Sequence, residues 1–123
     1  MEYLSNVHIR ELEFLVGDSV NLITLGKYEI RFSLWSLWLI TVYSRIQYED
    51  NDGKVWVTEA EGPKYPCRFT EVFEKKIERV YFEEPIFLVL QFKDNTRLKI
   101  SGEAGGYEAF LLNGPDGQLY VFK

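Results

Sequence analysis

The sequence predicts an all-β fold, a β-sandwich or partly open barrel built from two repeated antiparallel meanders. Three observations predict it. Apolar and polar residues alternate with a period of two, as in Tyr28, Ile30 and Phe32 against Glu29, Arg31 and Ser33. Short apolar runs follow one another closely, separated by turn residues such as Asn51-Asp52-Gly53, Asp94-Asn95 and Pro115-Asp116-Gly117. Two stretches of the chain also follow one pattern, which organises 1–123 as a single domain with an internal repeat of about 14–59 and 70–122.

The repeat aligns Leu15-Val16, Val20 and Ile23 with Val72-Phe73, Ile77 and Val80, an offset of 57. It aligns Tyr28, Ile30 and Phe32 with Leu88, Leu90 and Phe92, and Trp38 and Ile40 with Leu98 and Ile100, an offset of 60. The change falls at Glu83-Glu84-Pro85, where a longer turn costs little. Strands are expected at 20–25, 27–34, 37–43, 45–49 and 54–59, then at 77–83, 86–93, 96–101, 106–112 and 118–122. Phe87 and Val89 add apolar residues to the second face of their strand, so it should be covered on both sides. Residues 69–76 could form a short helix, and Gly62, Pro63 and Pro66 mark the connector between the copies. Neither copy alone buries enough surface to stand as a domain, so both should share one core.

Composition narrows the function. Aromatic residues reach 16% of the 123, suited to half-buried strands and to interface anchors. Lys plus Arg is 14 and Asp plus Glu 19, a net charge of −5. An acidic domain repels phosphate backbones, which disfavours nucleic acid and suits a basic partner. Most of these charges would do no more than maintain solubility. The single cysteine, Cys67, fits a reducing compartment. Met1 to Asn6 lack a basic start with an apolar run, so no signal peptide is expected. The most apolar stretch, Phe32 to Ser44, is too short to cross a bilayer as a helix. A cytoplasmic location follows as the expectation.

The chemistry of the chain is sparse. His8 is the only histidine; with Cys67 it makes too few ligands for zinc, and no triad motif supports it. Arg68 could lower the thiol pKa of Cys67, but no signature surrounds it, and an inert thiol is the better reading. Glu49-Asp50-Asn51-Asp52-Gly53 superficially resembles part of a calcium loop, with Glu61 at the spacing of the distal glutamate from Asp50. Its flanks read as strands rather than helices, so a hairpin turn explains it better. Gly102, Gly105 and Gly106 lack the Gly-Lys-Ser/Thr element of a phosphate cradle. Glu83 and Glu84 read as a solvated tip rather than an acid–base pair. No enzyme, cofactor or metal is expected.

One hairpin resists the ordinary pattern. Leu34-Trp35-Ser36-Leu37 stands where the second copy has the polar Asp94-Asn95-Thr96-Arg97. Either this tip folds back over the core or Trp35 is an apolar anchor for a partner.

The segment Phe14-Leu15-Val16-Gly17 with Val20, Ile23, Gly26 and Tyr28 to Phe32 resembles the opening of a family of small bacterial β-proteins. In that family a second copy follows, with a hairpin like Phe92 to Ile100, an element like Tyr107-Glu108-Ala109-Phe110 and a closing strand like Gln118 to Phe122. Such proteins are similar to toxin immunity proteins, which neutralise toxins passed between bacteria. The resemblance implies a cytoplasmic, non-enzymatic inhibitor of a cognate toxin domain, many of which are nucleases with basic clefts. It carries no residue-level function. From their charge and exposure, the candidate contacts are Glu49, Asp50 and Asp52 on one turn and Glu59 and Glu61 at the connector. Glu83 and Glu84 on another turn join them, with Trp35 as apolar anchor. The alternative is a small-molecule-binding β module with a pocket lined by Trp38, Trp56 and Tyr107. A homodimer through a strand edge is compatible with either.

Overall fold

The computed structural model describes residues 10–62, 68–103 and 108–122. Ten strands form two antiparallel five-stranded sheets, packed face to face and not closed into a barrel. The strands are β1 (Val20–Leu25), β2 (Ile30–Leu34), β3 (Leu39–Val42), β4 (Arg45–Glu49), β5 (Val55–Glu59), β6 (Ile77–Glu83), β7 (Phe87–Phe92), β8 (Arg97–Ser101), β9 (Phe110–Asn113) and β10 (Leu119–Phe122). The first sheet has the order β1-β2-β3-β9-β10 and the second β5-β4-β8-β7-β6.

These two orders are the same once β1 to β5 are exchanged with β6 to β10. Each sheet takes three strands from one half of the chain and two from the other. The exchange extends to the backbone. Gly17 N–H donates to the Ile77 carbonyl at 2.8 Å, and Glu74 N–H donates to the Val20 carbonyl at 3.0 Å. Residues 57 apart thus swap roles, and both Gly17 and Glu74 have positive φ.

The period-two pattern puts alternate residues inside. Ile23, Phe32, Ile40, Leu112 and Tyr120 form one inward row of the first sheet. Phe82, Leu88, Ile100, Ile46 and Thr58 form one of the second. Single 3-10 turns, Glu13–Leu15 and Phe69–Val72, insert Leu15, Phe69 and Val72 into the same core. Phe69 meets Phe32 edge-on at 6.1 Å, and Phe110 stacks on Phe122 at 4.7 Å. Burying one such ring contributes roughly 1.5–3 kcal/mol.

Four hairpins share one turn. In Leu34–Trp38, Asp50–Lys54, Phe92–Thr96 and Gly114–Gln118 the first residue donates to the fifth carbonyl, and the fourth N–H donates to the first carbonyl. The fourth residue is left-handed in each: Leu37 at φ 75°, Gly53 at 84°, Asn95 at 71° and Gly117 at 85°. This is the three-residue hairpin loop that normally places Gly or Asn at that position. The hydrogen bonds make Leu37 the counterpart of Asn95, an offset of 58 rather than the 60 expected from the apolar pattern. Both offsets are even, so the same faces stay inward and the alternation could not separate them.

Several expected boundaries move. The strand expected from 27 begins at Ile30, because Gly26 N–H bonds the Glu29 carbonyl and closes a tight turn. The strand expected from 37 begins at Leu39, because Leu37 belongs to the turn. The strand expected at 106–112 is Phe110–Asn113 among the described residues. The helix expected at 69–76 is one turn, Phe69–Val72, ended where Glu74 adopts φ 64°. Val89 is fully buried although it faces outward, as the apolar second face of its strand anticipated.

Candidate functional site

The chain crosses between the sheets twice at one corner. It passes from β3 to β4 through Tyr43 and Ser44 alone, and from β8 to β9 through 102–109. Polar stitching fixes this corner. Tyr43 N–H donates to the Ala109 carbonyl at 2.9 Å, and Ala60 N–H to the Ser44 carbonyl at 2.8 Å. The buried Ser44 hydroxyl donates to the Ser101 carbonyl at 2.7 Å. A buried polar group without such partners would be costly, so these bonds hold the corner in one geometry.

A cleft of about 1000 Å³ opens there. Tyr28, Tyr43 and Leu111 supply apolar wall, with Ser44 and Ser101 on the floor. Among the described residues the charged lining is Glu59, Glu61, Glu103 and Glu108 against one cation, Arg45. Arg45 Nε already lies 2.7 Å from Glu59 Oε1. Among the described residues no cation forms a salt bridge with Glu61, Glu103 or Glu108. Among the described residues, carboxylates thus exceed cations in the cleft beside two exposed phenol rings, a lining suited to ammonium or guanidinium groups.

The expected contact residues are dispersed. Glu59 and Glu61 lie in the cleft. Glu49 and Glu83 lie on the outer face of the second sheet and share Lys99, whose Nζ is 3.6 Å from Glu49 and 2.7 Å from Glu83. Glu49 also pairs with Arg97, and this bond raises the Arg97 pKa above its ordinary value. Asp50 caps its own turn, accepting from Asp52 N–H at 3.0 Å and Lys54 N–H at 2.9 Å. Asp52 and Glu84 are exposed at turns remote in sequence from each other. Trp35 is 59% exposed and its Nε1 donates to Glu74 Oε2 at 3.2 Å, so the tip presents the ring rather than folding it inward.

Of the rings expected to line a ligand pocket, Trp38 and Trp56 do not meet. Trp38 packs on Phe14 at 4.4 Å beside the first sheet, whereas Trp56 packs on Tyr48 at 6.3 Å in the second. The guanidinium of Arg68 lies over Trp56 at 4.4 Å. Tyr107, His8, Cys67, Gly105 and Gly106 lie outside the described residues. Among the described residues no three His, Cys, Asp or Glu side chains group as metal ligands, and no helix is long and apolar enough to cross a membrane.

Sequence reasoning missed Tyr28, Tyr43, Arg45, Glu103 and Glu108. They come from separate segments that only the sheet crossing joins. One signal was present: strands expected at 37–43 and 45–49 leave the single small residue Ser44 between them, too short for a hairpin and sufficient for a step between sheets. Comparison of the chain with family models, curated proteins and solved structures finds no match.

Proposed function

We propose that this chain is an inhibitor of the immunity type, which binds and blocks a toxin domain by receiving its basic side chains in the acidic cleft. The carrying observation is the cleft's charge, four carboxylates against one arginine, itself already paired, among the described residues. A lysine or arginine entering it meets Glu61, Glu103 and Glu108, with Tyr28 and Tyr43 to cover its stem. The net charge of −5 steers a basic nuclease-like domain toward the complex and weakens any attraction to nucleic acid. Glu49 and Glu83 contribute less than their charge suggests, because Arg97 and Lys99 neutralise them. The exchanged strand order supports reading 14–59 and 70–122 as a duplicated unit that builds a rigid, cytoplasmic platform.

Co-expression with the neighbouring toxin gene should give a complex that survives purification. Replacing Glu61, Glu103 and Glu108 together by Gln should weaken it at least tenfold without lowering the melting temperature. A partner that never co-purifies, or one that binds the triple variant as tightly as the parent, sinks the reading. A second reading, a module for a small organic cation, is favoured by the cleft's volume and its two tyrosines. A melting temperature raised by such an amine, in the absence of any protein partner, would select it.

A further inference from the structure

We propose that the outer face of the first sheet is a self-association surface, on which a second copy of this chain packs face to face. Two adjacent outward rows cross that sheet. One is Leu22, Ser33, Leu39, Asn113 and Leu119; the next is Thr24, Arg31, Thr41, Leu111 and Val121. Leu22 is 55% exposed and Leu119 56% exposed, at opposite edges of the same row. Arg31 is the only charged residue in the two rows, and Glu29 lies 3.0 Å from its guanidinium.

Charge identifies the occupant. A second copy also carries −5 and is repelled wherever carboxylates meet. The two rows carry no net charge once Arg31 is paired with Glu29, so the residues that meet here add little to the like-charge repulsion between copies. A basic partner gains nothing from it and is drawn to the cleft instead. The size agrees. Five strands about 4.8 Å apart and about five residues deep span roughly 24 by 16 Å, about 400 Å² in plan. Counted on both copies, the pair buries on the order of 800–1,200 Å² in total, the range of weak, transient association. Two such faces stack at about 10 Å, as sheets do within a sandwich. The pair is therefore a weak, concentration-dependent dimer that buries Leu22, Leu39 and Leu119 of both copies.

Sedimentation equilibrium from low micromolar to near-millimolar concentration tests this. The mass should rise from 14.5 kDa toward twice that value. Leu119→Asp and Asn113→Asp should each move the midpoint at least tenfold to higher concentration. Val57→Asp, an exposed position on the outer face of β5 in the other sheet, should leave it in place. Added salt should strengthen the dimer by screening like charge. Asn113 lies on β9, inside the sheet, so edge-to-edge pairing cannot use its side chain. A dimer that survives Asn113→Asp, or is lost with Val57→Asp or with salt, overturns the face assignment. So does a chain that stays monomeric throughout. Leu111 borders both this face and the cleft, but Leu119, Asn113 and Val57 lie outside the cleft lining, so failure here leaves the cleft's reading untouched.

Discussion

The two sheets have the same strand order, yet their outer faces are filled differently. Beyond the second sheet, Glu49, Arg97 and Lys99 join with Glu83 in a paired network. Arg79 lies over the Tyr81 ring at 4.8 Å, and Val89 is fully buried beneath this layer. Beyond the first sheet, the paired Arg31 and Glu29 stand among exposed Leu22, Leu119 and Thr24, with Thr41 buried at the centre. Folding constrains the inward residues of both sheets alike, through burial of apolar area. The outward residues are released from that constraint, and the two faces have been filled differently. The comparison also relocates the acidity of the molecule. The second sheet's outer Glu49 and Glu83 are paired with its own cations, whereas Glu61, Glu103 and Glu108 at the crossing cleft have no salt-bridge partner among the described residues.

The sharpest way to break this comparison is to remove one cation from each outer face. Lys99 is 12% exposed in its side chain and serves two carboxylates. Lys99→Ala should cost about 2 kcal/mol, because Glu49 and Glu83 lose a partner and Val89 loses its cover. Arg31→Ala on the first sheet removes an exposed pair and should cost under about 1 kcal/mol. Urea denaturation of both variants measures the difference. Equal losses would show that the second sheet's network contributes no more than a surface pair.

Much of this fold was legible because the inner residues obey a period of two. The alternation from Tyr28 to Ser33 and the polar turns at Asp52-Gly53 and Asp116-Gly117 placed strands to within a few residues. Register between the two halves of the chain was not legible, since offsets of 58 and 60 leave every side chain on the same face. The cleft was half legible. Glu59 and Glu61 were singled out by charge, but Tyr28, Glu103 and Glu108 reach it only through the sheet crossing at Ser44. Ion pairing was the least legible feature. The sequence offered Glu49 and Glu83 as free contacts, and strand pairing brought Lys99 between them.

The hairpins sharpen the comparison at smaller cost. The left-handed position holds Gly53, Asn95 and Gly117 in three turns and Leu37 in the fourth. A left-handed non-glycine residue costs about 1–2 kcal/mol, and Leu37 at 72% exposure recovers little by burial. Leu37→Asn should therefore stabilise the chain by about 1 kcal/mol, read as a raised urea midpoint with an unchanged slope. A loss of stability would mean that Leu37 makes a contact worth more than its strain.

The smallest effect separates the same two turns by pH. In the second sheet Lys75 Nζ lies 2.9 Å from Asp94, and Thr96 Oγ1 donates to Asp94 at 2.6 Å. The first sheet has at the equivalent place a hydrogen bond from the Ser36 hydroxyl to Asp18. Burial works against the Asp94 carboxylate, but the bonds from Thr96 and Lys75 outweigh it and hold its pKa below the ordinary aspartate value. A carboxyl depressed on folding adds stability above its unfolded pKa of about 3.9, and that stability is lost as pH falls through the folded value. Nearly half the Asp94 side chain is exposed, so solvent screens the gain and only a fraction of a kcal/mol is at stake. Asp94→Asn should show a shallower fall in stability between about pH 5 and pH 2 than the parent. If Asp94→Asn kept the parent's acid slope, the carboxylate's lowered pKa would contribute nothing to folding.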